Sequence, residues 1–324
     1  MRYIELAGLA RALTCSAPPY AQTCPIHPRR RRPGRDHRPD LARPLFVPSG
    51  AFNDIALGVL GRAQRLYNVR LFGYVVLSNH VHILAWVDNA QQLASFAGYF
   101  ASNLAREVAR LTGWTDKIWS RRYQAIVISN EEKAQAERLT YILSHGVKED
   151  LVEKIADWPG LHCVHSLLSG QPAEGTWFDR TREYAARIRG ESIRPRQFAS
   201  SEIVTLEPLP CWAHLPMEKV AELIREMVES IEAQTAQRRA DTGAVVLGPA
   251  VIKAHHSHHR PSKLKKSPAP LFHAATRRIR RELYDAYKFF LAAFRTASER
   301  LRSGDRNARF PIGCFPPALP FVSG

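Results

Sequence analysis

Closely spaced cysteine pairs are missing from this 324-residue sequence. Its five cysteines, Cys15, Cys24, Cys163, Cys211 and Cys314, are odd in number and scattered, and no CxxC pair occurs. A disulfide framework and a zinc ribbon are therefore not expected, and the thiols read as reduced in a cytoplasmic protein. No apolar run approaches the ~20 residues of a membrane-spanning helix, so no membrane partner is expected. The N-terminal apolar segment is interrupted by Glu5 and Arg11 and does not read as a secretory signal peptide. Acidic residues are scarce as well. Thirty Asp and Glu face 46 Lys and Arg, a formal charge of +16, with a sequence pI of about 10.0. Such a surplus draws polyanions, with nucleic acid as the first candidate. Hydrophobic residues make up 45% of the chain, enough to give one large domain or two modest ones a core.

Periodicity divides the chain unevenly. Residues 1–44, with "APPYAQTCPIHPRRRRPGRDHRPD", are rich in Pro and Arg and show no period of 2 or 3.6. They read as a disordered basic arm, because proline removes ladder donors and argues against a central strand. Ile55, Val59, Leu60, Ala63 and Leu66 then recur at helical spacing, with Ser49 or Asn53 as N-cap. Two β-branched and aromatic runs, 69–77 and 80–87, meet at Ser78-Asn79 as a hairpin. A helix is expected over 90–111, stopped by Gly113, then a strand over 117–128. A further helix follows in "SNEEKAQAERLTYILSHG", with Ser129 and Glu132 as a capping box and Gly146 as C-cap. The sum is an α+β fold with an antiparallel sheet, to which a strand before the first helix would give a ferredoxin-like arrangement. That strand would have to lie in the arm. Beyond residue 170 the chain reads as a mainly helical extension over 171–254, a basic linker over 255–270, and a basic amphipathic helix with a tail over 271–324. One helix is expected over 217–236 and another over 273–302. Arg277, Arg278, Arg280 and Arg281 crowd positive charge onto the start of the latter, unfavourable to its dipole without a nearby anion, and with the basic arm they are the expected DNA phosphate contacts.

The stretch "VVLSNHVHILAW" sets His80 and His82 two apart in an apolar strand, so both project from one face. On spacing alone, ligation of one divalent ion and satisfied polar residues on a half-exposed strand remain equally open. Tyr141 and His145 are four apart and share a helical face, while Leu139, Ile142 and Leu143 turn toward the core. Trp119, Arg121, Arg122 and Tyr123 interleave aromatic and basic groups, either as a single-strand binding platform or as a mixed strand with Trp119 in the core.

Four of these features occur in order over roughly residues 45–165: His-Val-His on a hairpin, "WSRRY" before a strand, Tyr-Ile on the next helix, and "DWPGLH" after it. The combination resembles the single-tyrosine HUH transposases, in particular their REP-associated, insertion-sequence-200-like group. The resemblance implies a ferredoxin-like HUH domain over 45–170. It implies metal-dependent cleavage and rejoining of single-stranded or hairpin DNA through a covalent 5′-phosphotyrosine. Tyr141 would be the nucleophile; His80 and His82 would hold Mg2+ or Mn2+, with His145 as third ligand where many members carry an amide. It implies a dimer or a monomer. His145-Gly146 replaces the family's usual Asn-Pro. A catalytically decayed DNA-binding protein of the same fold is the alternative, and a zinc hydrolase working through a water is a third reading.

Overall fold

The computed structural model describes residues 22–23, 46–119, 123–194, 196–257, 271–312, 314 and 316–317. Its larger sheet is built from β1 (Gln22–Thr23), β2 (Arg70–Val76), β3 (Val81–Trp86), β4 (Ile126–Ile128) and β7 (Phe272–His273), in the order β2-β3-β1-β4-β7. β2, β3, β1 and β4 pair antiparallel in turn, and β7 adds to β4 in parallel. Helix α1 (Gly50–Tyr67) connects β1 to β2, α2 (Ala90–Thr112) connects β3 to β4, and α3 (Glu132–Leu143) follows β4. The protein is thus α+β.

The arm corrects one expectation. Gln22 pairs with Ala85 and Val127, and Thr23 with Leu84 and Ile126, so two residues of the Pro/Arg segment form a central strand. Backbone groups alone make that ladder, and neither residue is a proline. The disorder expected for the arm otherwise falls outside the described residues. The strand expected over 117–128 shrinks to Ile126–Ile128. Trp119 instead donates its indole N–H to Ala101 O of α2 at 2.6 Å.

Caps differ in detail. Ser49 caps α1 through Phe52 N, and Gly113 ends α2 with φ 67°. The Ser129–Glu132 capping box does not form. Ser129 Oγ donates to Glu131, which holds the N-cap position of α3, and the Glu132 carboxylate accepts the Trp212 indole. The C-cap of α3 is Ser144, not Gly146. The 217–236 helix runs on through Met217–Thr242 as α6, after the short α4 (Val164–Ser169) and α5 (Arg180–Ile188). Its last turn ends at Gly243, whose φ of 66° suits a glycine. After α7 (Pro249–Ala254), the basic helix α8 (Arg277–Arg302) begins four residues later than expected, because Phe272 and His273 are taken up by β7.

Both faces of the sheet are covered. Leu71 through Val76 of β2 and Val81 through Ala85 of β3 are all buried, whichever way they point. Residues 161–163 protect the outer edge of β2, with Val76 N bonded to Leu161 O and Cys163 N to Tyr74 O. A second sheet, β5 (Ala173–Phe178) with β6 (Ala199–Val204), packs against α1. Glycines make that approach feasible. A Cβ on Gly58 would lie 2.1 Å from the Thr176 backbone, and one on Gly61 2.8 Å from Ile203 O. Arg62 and Arg65 of α1 close the contact on the buried Glu202 carboxylate at 2.9 and 2.8 Å.

Gly73 does similar service for the functional helix. A Cβ there would stand 3.1 Å from Leu139 Cδ1 and 3.4 Å from Cys163 Sγ. With hydrogen at that position, α3 settles onto β2 and turns its Tyr141 face toward β3.

Candidate metal and tyrosine centre

β3 and the end of α3 bring together the histidines separated by sequence. Potential ligand nitrogens of His80, His82 and His145 all lie within 4.8 Å of one another. His82 and His145 are buried, and His80 is half-buried at the turn into the strand. The His82 and His145 rings stack, centroids 4.4 Å apart and 17° between planes. His80 meets His82 edge-on at 4.8 Å.

Tyr141 completes the cluster. Its ring centroid lies 4.8 Å from that of His145 and 5.5 Å from that of His82, in edge contacts. The residue stays 38% exposed, so the ring borders both the histidines and solvent. Two cations flank it: the Lys148 ammonium 3.5 Å from the ring centroid and the buried Arg138 guanidinium at 4.3 Å. Burial raises the phenol's pKa above its ordinary value, and Arg138 opposes the rise without cancelling it.

The turn after α3 supplies the outer contacts. His145 Nδ1 lies 3.0 Å from Glu149 Oε1, while Glu149 Oε2 accepts the Gly146 N–H at 2.7 Å. Gly146 has φ 90°, a left-handed conformation that favours glycine, and it turns the chain back so that Glu149 faces the ring. Burial alone would raise the Glu149 pKa, but the bonds from His145 and Gly146 and the nearby cations hold it below the usual value. The carboxylate is therefore ionised at neutral pH and accepts the Nδ1 proton, which leaves the Nε2 lone pair as ligand atom. Burial keeps His145 neutral to lower pH than an ordinary histidine. On His145 Nε2 sits Lys148 Nζ, 3.2 Å away. Burial lowers the Lys148 pKa to about 8.

Three clustered imidazoles, one oriented by a carboxylate, are a donor set that fits a divalent metal. Sequence reasoning singled out Tyr141 and the three histidines, and the fold brings all four together. It passed over Arg138, Lys148 and Glu149, although Arg138 stands three before Tyr141 on α3, a helical-face spacing.

The expected nucleic-acid contacts lie elsewhere. Trp119 is half-buried and meets Phe46 edge-on at 5.4 Å, and Tyr123 packs against the core. Arg121 and Arg122 fall outside the described residues. Arg277, Arg278, Arg280 and Arg281 are exposed in the first turns of α8. The anion that their helix calls for is Glu131, whose carboxylate accepts from Ala275 N at 2.8 Å and Thr276 N at 3.0 Å. Arg278 also pairs with Glu282 at 2.6 Å. No helix among the described residues is long and apolar enough to cross a membrane.

No family model matches the chain, and no curated protein matches it. A solved structure of a REP-associated tyrosine transposase bound to a REP hairpin is similar over 47% of this chain and 81% of its own. The identity is 16% and the TM-score 0.34. A likeness that weak carries no argument about fold or function.

Proposed function

We propose that the protein is a metal-dependent DNA strand transferase that cuts and rejoins single-stranded or hairpin DNA through Tyr141. The observation that carries this reading is the packing of the Tyr141 ring on His82 and His145 within a three-histidine cluster. A lone pair of strand histidines would have served as satisfied core polars. A partly exposed phenol beside three converging imidazoles is what nucleophilic attack on a phosphodiester requires. The β-α-β-β-α-β order of the first six elements, with strand order β2-β3-β1-β4, supports reading the domain as ferredoxin-like. The surplus of positive charge suits a nucleic-acid partner, with Arg277, Arg278, Arg280 and Arg281, and Arg121 and Arg122, offering phosphate contacts.

Mg2+ or Mn2+ held by His80, His82 and His145 would neutralise charge on the scissile phosphate and steady the departing 3′ oxygen. The chain's own groups account for the rest. Tyr141 Oη forms a bond to phosphorus as the P–O3′ bond breaks. The phenol gives up its proton and the 3′ oxygen takes one, leaving a 5′-phosphotyrosine and a 3′-hydroxyl. Glu149 holds the His145 tautomer. Rejoining reverses the exchange and needs no ATP, because one ester replaces another.

The test is end-labelled hairpin DNA incubated with the protein and Mn2+. A covalent protein–DNA adduct is expected, absent in Tyr141→Phe and suppressed by chelator. Binding without an adduct in the unmodified protein would support a decayed DNA-binding protein. Cleavage that persists in Tyr141→Phe would support a water-using hydrolase. Either result overturns the proposal.

A further inference from the structure

We propose that Lys148 is a built-in competitor for the cation, its ammonium holding the lone pair of His145 that a metal would need. The inference rests on the three-histidine cation site proposed above. Glu149 takes the Nδ1 side of the His145 ring at 3.0 Å, so only Nε2 is left to ligate. Lys148 Nζ lies 3.2 Å from that nitrogen. An N–H of the ammonium and a metal cannot share one lone pair. A cation bonded to all three imidazoles would sit about 2 Å from each nitrogen. The ammonium would then stand beside it as a like charge, in a pocket where screening is weak.

The surroundings show what moves. The Lys148 backbone is tied down, its N–H to Ser144 O at 2.9 Å and its carbonyl to Arg238 Nη1 at 3.1 Å. The four-carbon stem is not tied. Its side chain is 29% exposed, and besides His145 its ammonium holds, among the described residues, only a long bond to Tyr141 O at 3.4 Å, the Tyr141 ring and Glu149 at 3.7 Å. Displacement therefore needs only side-chain rotation, whereas leaving the ammonium in place would set it and the Arg138 guanidinium against the metal with one carboxylate, Glu149, to offset them. A phosphodiester brings the negative charge that a displaced ammonium lacks. Metal and DNA then load together, each tightening the other by the same factor.

Calorimetric titration of Mn2+ into the full chain, stripped with chelator, tests this directly. Lys148→Met should bind Mn2+ at least tenfold more tightly than the unmodified protein, and Lys148→Arg, which keeps the charge, within about threefold of it. A single-stranded oligonucleotide should tighten Mn2+ binding in the unmodified protein and do so severalfold less in Lys148→Met. Equal or weaker Mn2+ binding by a folded Lys148→Met protein overturns the inference while leaving the cation site standing. If neither protein binds Mn2+ or Mg2+, the cation site and the inference both fall. Should Lys148→Met not fold, the unmodified protein with isotope-labelled lysine side chains decides. Its Lys148 resonance must shift as Mg2+ saturates the site, and a resonance that stays fixed refutes the competition.

Discussion

Replacing Glu149 with glutamine puts the proposed site to a sharp test, because the change preserves shape and reverses one hydrogen-bonding role. The carboxylate has two acceptor oxygens, and both face donors: His145 Nδ1 at 3.0 Å and Gly146 N at 2.7 Å. An amide has one oxygen and one NH2. If its oxygen stays on Gly146, the NH2 confronts Nδ1, and the His145 proton must move to Nε2. That tautomer offers no lone pair to a cation and sets an N–H against the Lys148 ammonium. If its oxygen turns to His145, the NH2 opposes the Gly146 N–H, leaving a partly buried donor unsatisfied. Such a loss costs about 1–3 kcal/mol when fully buried. Glu149 is 35% exposed, so about 1 kcal/mol applies, with water taking up part of the cost.

The first outcome governs metal binding. Partners of metal-ligating histidines typically carry 10–100-fold in affinity, about 1.4–2.7 kcal/mol. Glu149→Gln is therefore expected to weaken Mn2+ binding by one to two decades in calorimetric titration, with a small fall in thermal midpoint. Affinity and thermal midpoint both unchanged would refute the orienting role of Glu149, because each orientation of the glutamine loses one of its two bonds. A fall in stability alone, with affinity intact, would mean that the glutamine oxygen has turned to His145 and left the Gly146 N–H without its acceptor.

Two further outcomes concern the frame that carries the site. Gly58→Ala should destabilise the fold by about 3 kcal/mol, the upper range for overpacking, because the new Cβ would meet the Thr176 backbone at 2.1 Å. Urea unfolding measures it, and a loss under 1 kcal/mol would mean that α1 and β5 separate freely. Acid should also weaken the protein in a defined window. Burial lowers the His162 pKa to about 4 from 6.5, so the folded state binds fewer protons than the unfolded state between those values. Stability is then level above about pH 6.5 and falls as pH drops toward 4, by on the order of 3 kcal/mol at most. His145 and His273, also lowered by burial, act in the same sense. His162→Asn, which keeps an acceptor for the Val164 N–H, should flatten that slope in denaturant midpoints measured across pH. An unchanged slope would assign acid sensitivity to other groups.

What the sequence disclosed followed from periodicity. A period of 2 set His80 and His82 on one face, and a period of 3.6 set Tyr141 beside His145, so these residues were legible without a third dimension. That the two pairs meet depends on how closely α3 approaches β2, where Leu139 packs over Gly73, a residue without any pattern of its own. β1 escaped detection because a two-residue strand has no measurable period, and its place between β3 and β4 is secured by backbone pairing. Lys148 and Glu149 lie past the end of α3. There the left-handed Gly146 reverses the chain, and helical spacing no longer tells which way a side chain points.

The C-terminal half had no role that sequence could assign, yet it bears on where Tyr141 stands. At the start of α3, Glu131 accepts from Ala275 and Thr276, Glu132 accepts the Trp212 indole at 3.0 Å, and Gln135 Oε1 accepts from Cys211 N at 3.3 Å. Beyond its other end, Asp150 adopts φ 55° and pairs with Arg238. Leu247 N and Gly248 N bond to Asp150 O and Leu151 O, both at 2.9 Å. Ile155 N adds a bond to Glu232 at 2.9 Å. All of these partners lie more than 70 residues away in sequence, so loop closure is costly and must be repaid by the contacts themselves. A site made only of β3 and α3 would leave a 12-residue helix, marginal by itself, to hold a phenol against three imidazoles. Anchoring at both ends converts that marginal element into a fixed one, and tolerances of about half an ångström at reacting atoms demand such support. The segments after residue 204 thus belong to the site mechanically, although none of their described residues contributes a ligand to the three-histidine cluster.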